Sequence, residues 1–303
     1  MNLKKIIYKF TNKEKYSRLK YEISRQDRIN LFNKLFKKKI MLIRKNIKRK
    51  NELNFLHSGH MGDIINALPV IKQLSKTHKC NLFIQSKKKL ENEARDYKYQ
   101  GDRVYMTDRM VLMILPLLKK QKYIKSVNIF KNQKIDIDLN LFRKIPMNFN
   151  LDEVRWYFYL TGVHTNLARP YLSVNMHKHL KNKIVIMRST RRKNEFINYK
   201  FLNKFKNILF LGLKDEYNDL KKQIKNLKFY DAKDFLEVAQ IIKSSKFFIG
   251  NSSFGFTIAE ALKIPRIMEA YPDFPVIYPN GGHGYDFYFQ PDFEEICKKL
   301  NNL

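Results

Sequence analysis

The stretch His57-Ser58-Gly59-His60-Met61-Gly62-Asp63-Ile64-Ile65-Asn66-Ala67-Leu68-Pro69-Val70-Ile71 decides the architecture. Before it, Leu53 to His57 reads as a short apolar strand. After it, apolar residues recur at helical spacing, so a helix is expected from Asp63 to about Lys76, bent by Pro69. The two glycines between them permit a tight turn and close approach of a ligand backbone. Strand, glycine-bearing loop and helix together open a βαβ unit.

Working outward, the same texture continues on both sides. Strands are expected at Asn81 to Gln85, Val127 to Phe130 and Ile135 to Leu139, with helices at Asp108 to Lys120 and Asp152 to Thr161, the latter ended by Gly162. The pattern then restarts with strands at Ile184 to Met187, Ile208 to Leu211, Leu227 to Tyr230 and Phe247 to Ile249. Helices follow at Asp215 to Lys225, Phe235 to Ser244 and Gly255 to Leu262, with Asp234 and Glu237 spaced as a capping box. The expected fold is α/β: two Rossmann-like domains facing a cleft, residues 51–165 and 183–303, joined by a linker at 166–182. Ligands of such folds bind at the carboxyl ends of the strands, where helix N-termini point amides at anions.

Two loops carry candidate chemistry. In the first, Asp63 suits a plain helix cap, but a carboxylate at a cleft-facing helix start can equally take a proton from a hydroxyl. His60 and Gly62 flank it. In the second, Phe247-Phe248-Ile249-Gly250-Asn251-Ser252-Ser253-Phe254-Gly255 runs a buried strand into small hydroxyl and amide residues and then a helix. Asn251, Ser252, Ser253 and Gly255 there suit a phosphate cradle, and Glu260, about one turn on, could accept from ribose hydroxyls. Ordinary capping and a solvated helix face explain the same residues without a ligand.

The segment His60 to Ile71, with Ile135-Asp136-Ile137-Asp138-Leu139 and the second loop, resembles glycosyltransferase family 9, the heptosyltransferase-like enzymes of GT-B fold. The resemblance spans roughly Leu53 to Glu269. It implies a metal-independent, inverting transfer of a sugar from a nucleotide-diphosphate donor to a glycan or lipid-linked acceptor, without a cofactor. On this pattern Asp63 matches the catalytic base, Ser252 to Gly255 the donor-diphosphate loop, and Glu260 the ribose-binding acid of the related family 4. The cluster Arg188-Ser189-Thr190-Arg191-Arg192-Lys193 falls where the family contacts the diphosphate. The family's Asp-Ser/Thr-Gly and its His are replaced by Ser252-Ser253-Phe254 and Thr257, which leaves open a donor other than ADP-heptose, or a loss of activity.

Other motifs are less specific. Asp136-Ile137-Asp138 has the form of a metal-binding DxD, though the resemblance makes it a strand of the first domain. His57 with His60, and His177 with His179, lack known zinc spacing, so no metal is expected. Gly281-Gly282-His283-Gly284-Tyr285-Asp286 reads either as a loop covering the cleft, with His283 grouped with His60 and Gly62 as an acceptor or loop residue, or as a surface turn.

The 303 residues carry 60 Lys+Arg against 28 Asp+Glu, a net of +32. Residues 1–50 hold 18 basic residues but only Glu14, Glu22 and Asp27, a net of +15, with Ile29, Phe32, Leu35, Phe36, Ile40 and Ile43 at helical steps. This basic helical leader suits an anionic membrane surface, a nucleic acid, or packing on the body with a solvated lysine face. The excess of 45 Lys over 15 Arg points to a compositional bias throughout.

The longest apolar run, Met110 to Leu118, is half a membrane span. Lysines interrupt any secretory h-region near the N-terminus, and Cys80 and Cys297 make neither a disulfide framework nor a metal motif. A cytoplasmic protein is expected, peripheral on the inner membrane face if the leader binds lipid. The rivals to sugar transfer are a sugar-nucleotide epimerase, an inactive glycan-binding relative, and a nucleic-acid-binding protein drawn by the charge.

Overall fold

The computed structural model describes residues 3–90, 103–144, 152–272 and 277–303. Two all-parallel sheets organise the body. The first contains β1 (Glu52–His57), β2 (Lys79–Ile84), β3 (Ser126–Ile129) and β4 (Ile137–Asp138), in the order β3-β2-β1-β4. Around it pack α4 (Met61–Leu74), α5 (Asp108–Lys119) and α6 (Glu153–Thr161).

The second sheet has six strands. They are β5 (Ile184–Met187), β6 (Ile208–Phe210), β7 (Lys228–Phe229), β8 (Phe247–Asn251), β9 (Arg266–Glu269) and β10 (Gly284–Phe287), in the order β10-β9-β8-β5-β6-β7. Helices α7 (Lys214–Lys221), α8 (Phe235–Lys243), α9 (Phe254–Leu262) and α10 (Gln290–Asn301) complete it. Parallel strands covered on both faces read as continuous apolar runs, which is why β8 is buried along its whole length.

Local deviations have physical causes. Helix α4 runs through Pro69 without ending, because Asp63 to Ile71 is buried throughout and the surrounding packing outweighs one lost backbone bond. Each buried Ile, Leu or Val there contributes about 1.5–3 kcal/mol. The expected strand from Ile135 to Leu139 shrinks to two residues. Asp136 turns to accept from the Asn54 amide at 3.0 Å and from Lys50, and Asp138 caps the following 3₁₀ turn at the Asn140 amide, 2.9 Å away. Both carboxylates of the DxD sequence are therefore engaged by protein donors.

The leader divides in two. Helices α1 (Leu3–Thr11) and α2 (Lys13–Leu31) bury no residue. A π-helical turn, Phe32–Phe36, carries α2 into α3 (Lys37–Arg49), whose Ile43 is buried with Phe36 in the core of the first domain. Arg44 donates to the Tyr159 carbonyl at 3.2 Å. The packed-helix reading thus holds for α3 alone.

Between α6 and β5 the chain crosses from one sheet to the other and bonds to both sides. The Tyr171 and Leu172 amides donate to the Ala261 carbonyl of α9 at 3.0 and 3.1 Å. On the other flank Lys72 Nζ donates to Pro170 O at 2.8 Å and Tyr123 Oη to Tyr171 O at 2.7 Å. Gln121 exchanges two bonds with Ser173. Helix pairs α4–α9 and α5–α8 also join the domains, and one apolar cluster contains Ile64 and Leu68 of α4 as well as Phe256 and Ile258 of α9.

Candidate active site

In the first sheet the chain runs from β1 outward to β2 and β3, then returns to place β4 on the other side of β1. This reversal opens a crevice at the carboxyl ends of β1 and β4, where ligands of doubly wound folds bind. The loop Ser58–His60 leaves β1 there, and the 3₁₀ turn Leu139–Lys144 leaves β4.

A hydrogen-bond chain fixes the first loop. The Gly59 amide donates to His57 Nδ1 at 3.1 Å, so the proton of the neutral ring is assigned to Nε2, which lies 3.2 Å from Tyr157 Oη. Tyr157 in turn donates to the Asp63 carbonyl at 2.9 Å. Complete burial, with the nearby Arg143 charge, holds the His57 pKa well below the usual histidine range, consistent with that neutral ring.

Asp63 occupies the first turn of α4, with His60 as the N-cap residue. Its Oδ2 accepts from the His60 amide at 3.0 Å and pairs with the Arg143 guanidinium. Arg143 lies over the Tyr105 and Phe142 rings at 4.7 and 4.9 Å. A Cβ on Gly59 would meet Asp63 Oδ2 at 2.7 Å, Arg143 Nη2 at 2.9 Å and Asn140 Oδ1 at 3.0 Å, so this glycine makes room for the pair. Burial first, then the positive fields of Arg143 and Arg191, push the His60 pKa down to about 3. Burial raises Glu153, at the start of α6, to about 7.

The second sheet reverses between β5 and β8, and its crevice holds the other predicted cluster. Asn251 clamps Ser189: its Oδ1 accepts from the Ser189 amide at 3.1 Å and its Nδ2 donates to the Ser189 carbonyl at 2.6 Å. Ser252 is buried, and its Oγ has no hydrogen-bond partner among the described residues. Ser253 takes the N-cap position of α9 with extended backbone and makes no side-chain cap, leaving the first-turn amides of α9 without a side-chain acceptor. Arg191 and Arg192 lie in the 3₁₀ turn after β5, with the Arg192 guanidinium 5.3 Å from the Tyr271 ring centroid.

The two crevices meet. A Cβ on Gly62 would lie 3.6 Å from Thr257 Cγ2 and 4.0 Å from Phe254 Cα, which puts the first turn of α4 against the first turn of α9. The Arg191 charge acts on His60, and that of Arg192 on both His60 and Glu153. His60, Gly62, Asp63, Ser252, Ser253 and Arg191 are thereby brought into one neighbourhood.

Four expected residues have other duties. Arg188 is buried and donates to both oxygens of Glu269, at 2.6 and 2.8 Å, while its guanidinium lies 4.5 Å from the Tyr199 ring centroid. It neutralises the buried carboxylate of Glu269. Gly255 is required by packing, since a Cβ there would sit 2.6 Å from Met187 Sδ. Glu260 is buried between Arg266 and Lys263 and also accepts from the Asn280 amide at 3.1 Å, so three protein donors already engage its carboxylate. His283 is a turn residue with φ of 56°. Its carbonyl accepts from the Arg266 amide where β10 begins, at the end of the parallel strands opposite the Ser252 loop.

Arg143, Tyr157, Asn140 and Glu153 were not singled out by sequence reasoning, and Thr257 only as a departure from the family's pattern. For Arg143 and Asn140 a signal existed: they follow the carboxyl end of an expected strand, as Asp63 does. Nothing in the local sequence marks the rest.

No family model and no curated protein matches the sequence. Among solved structures, the Escherichia coli ADP-heptose lipopolysaccharide heptosyltransferase II is similar at a TM-score of 0.54 and 13% identity, covering 82% of this chain and 98% of that one. The E. coli heptosyltransferase WaaC with ADP is similar at a TM-score of 0.50 and 13% identity, covering 82% and 99%. At such identities the likeness is one of fold: two Rossmann-like domains in the GT-B arrangement.

Proposed function

We propose that the protein is a glycosyltransferase that moves a sugar from a nucleotide-diphosphate donor to a hydroxyl of a glycan or lipid-linked acceptor, with inversion and without a metal. The observation that carries this reading is the meeting of the two crevices, in which the helix start that holds Asp63 lies against the helix start that follows Ser252. In the proposed step the acceptor oxygen forms its bond to the anomeric carbon. The bond from that carbon to the diphosphate breaks, its electron pair leaves with the nucleotide diphosphate, and Asp63 takes the acceptor proton.

The charge that develops on the leaving diphosphate is met by the α9 amides, the hydroxyls of Ser252 and Ser253, and the cations Arg191 and Arg192. Both described contacts of Asp63 fall on Oδ2, so Oδ1 is assigned to the proton. Arg143 holds the carboxylate in place. Asp136 and Asp138 already accept from Asn54, Lys50 and Asn140, which supports a mechanism in which helix amides and arginines, not a DxD metal, neutralise the diphosphate.

The test is a thermal-shift panel of nucleoside diphosphates and nucleotide sugars beside an oligonucleotide, followed by transfer assays on Asp63→Asn. The expected outcome is stabilisation by a nucleotide, retained in the variant, with transfer lost. Stabilisation by the oligonucleotide alone would reject the reading. Undiminished turnover by Asp63→Asn would reject the base assignment, and nucleotide binding without transfer by the wild type would favour an inactive glycan-binding protein or an epimerase.

A further inference from the structure

The two N-terminal helices carry a surface that the body of the protein does not use. In α1, Leu3, Ile6, Ile7 and Phe10 stand at positions i, i+3, i+4 and i+7 and form one stripe, with 70, 37, 49 and 80% of their surface exposed. Lys4, Lys5 and Lys9 share the rest of the helix with Tyr8 and Thr11. No residue of α1 is buried, and none of α2, so the stripe lacks an intramolecular seat.

The arrangement of the arm is equally specific. Helix α2, the π turn and α3 follow one another without a break in helical backbone, since Leu31, Phe32 and Lys37 all have right-handed helical dihedrals. Burial begins at Phe36. The α3 half is therefore rooted on the first domain beside α6, through Phe36, Ile43 and Arg44, while the 19 residues of α2 extend about 28 Å and carry α1 at the far end.

We propose that α1 docks on an anionic phospholipid bilayer, with Leu3, Ile6, Ile7 and Phe10 at the boundary between headgroups and acyl chains, and Lys4, Lys5 and Lys9 in the phosphate layer. The charge selects this occupant. A nucleic acid would engage the lysines alone and leave the apolar stripe in water. A second copy of the chain would bring another leader of net +15 against the first, so the same charge that draws an anionic surface opposes self-association. Among the described residues no helix is long and apolar enough to cross a membrane, so the contact lies in the interface plane. The inference does not depend on the sugar-transfer reading.

The test is co-sedimentation of the full chain with vesicles of phosphatidylcholine alone and of phosphatidylcholine mixed with phosphatidylglycerol. The wild type should bind the mixed vesicles at least about tenfold more strongly than the neutral ones. The double variant Ile6→Asp, Phe10→Asp should lose about tenfold or more of that binding, and so should Lys4→Gln, Lys5→Gln, Lys9→Gln. All variants should keep the wild-type melting temperature, since α1 buries nothing. Failure of the wild type to bind, equal binding to both vesicles, or full binding by the Ile6/Phe10 variant would overturn the proposal. So would a stable oligomer without vesicles that the Ile6/Phe10 variant dissolves, because the stripe would then belong to a second copy. Asp63→Asn should bind vesicles as the wild type does, which separates this outcome from the fate of the catalytic reading.

Discussion

The guanidinium of Arg143 rests on the carboxylate of Asp63, joining the turn after β4 to the first turn of α4 across 80 positions of sequence. The pair is enclosed by the bare Cα of Gly59 and by the rings of Tyr105 and Phe142, so the carboxylate is held by a planar partner that is itself held. A carboxylate fixed in this way would lose little motional freedom on binding a ligand.

Arg143→Gln should therefore lower kcat about 10- to 100-fold while leaving the nucleotide dissociation constant within about twofold, because it would misplace the proposed base while the proposed donor contacts lie in the other domain. Steady-state kinetics with calorimetric nucleotide titration measures both. Arg143→Lys should recover only part of kcat, since a point charge cannot reproduce the stacked fork.

Ser252 and Asn251 are adjacent but should separate cleanly. Ser252→Ala removes a buried hydroxyl that bonds to no described residue, so chemical denaturation should show a change within about 0.5 kcal/mol, with nucleotide affinity falling about five- to tenfold. Asn251→Ala breaks both bonds to Ser189 and should cost about 2 kcal/mol of stability.

Arg188→Met should behave as a folding lesion. It leaves Glu269, with no exposed surface, without its cation, and the expected loss is about 3–5 kcal/mol in urea denaturation. A variant of unchanged stability but weakened nucleotide binding would return Arg188 to the donor site.

Glu153 gives stability a pH dependence of stated sign. Its folded pKa, raised by burial to about 7, exceeds the unfolded value of 4.5, so between those values the folded state keeps a proton that the unfolded state releases. Its contribution is full below pH about 4.5 and declines as pH rises toward 7. Glu153→Gln should gain on the wild type across that window, by on the order of 1–3 kcal/mol, in denaturation curves taken at a series of pH values.

The strand–loop–helix units around Asp63 and Ser252 were legible because local patterns make them: an apolar run, small residues at the turn, and helical periodicity afterwards. Arg143 and Tyr157 reach Asp63 only because β4 lies on the far side of β1 and α6 packs against α4, which are facts of topology. The pairing of Arg188 was hidden for the same reason. Its position after a strand suits a phosphate, and its partner Glu269 lies 81 residues away. Strand β9 was hidden because Arg266 and Glu269 look solvated at both of its ends, yet each is fully buried against an opposite charge from elsewhere in the chain.

Pro170 to Ser173, bonded to Lys72, Tyr123 and Gln121 on one flank and to Ala261 on the other, acts as a brace and not as a hinge. A wide swing of one lobe would have to break bonds on one of its two sides, each worth about 0.5–1.5 kcal/mol, as well as the shared apolar contacts. Small-angle scattering should accordingly give the same radius of gyration with and without a saturating nucleotide.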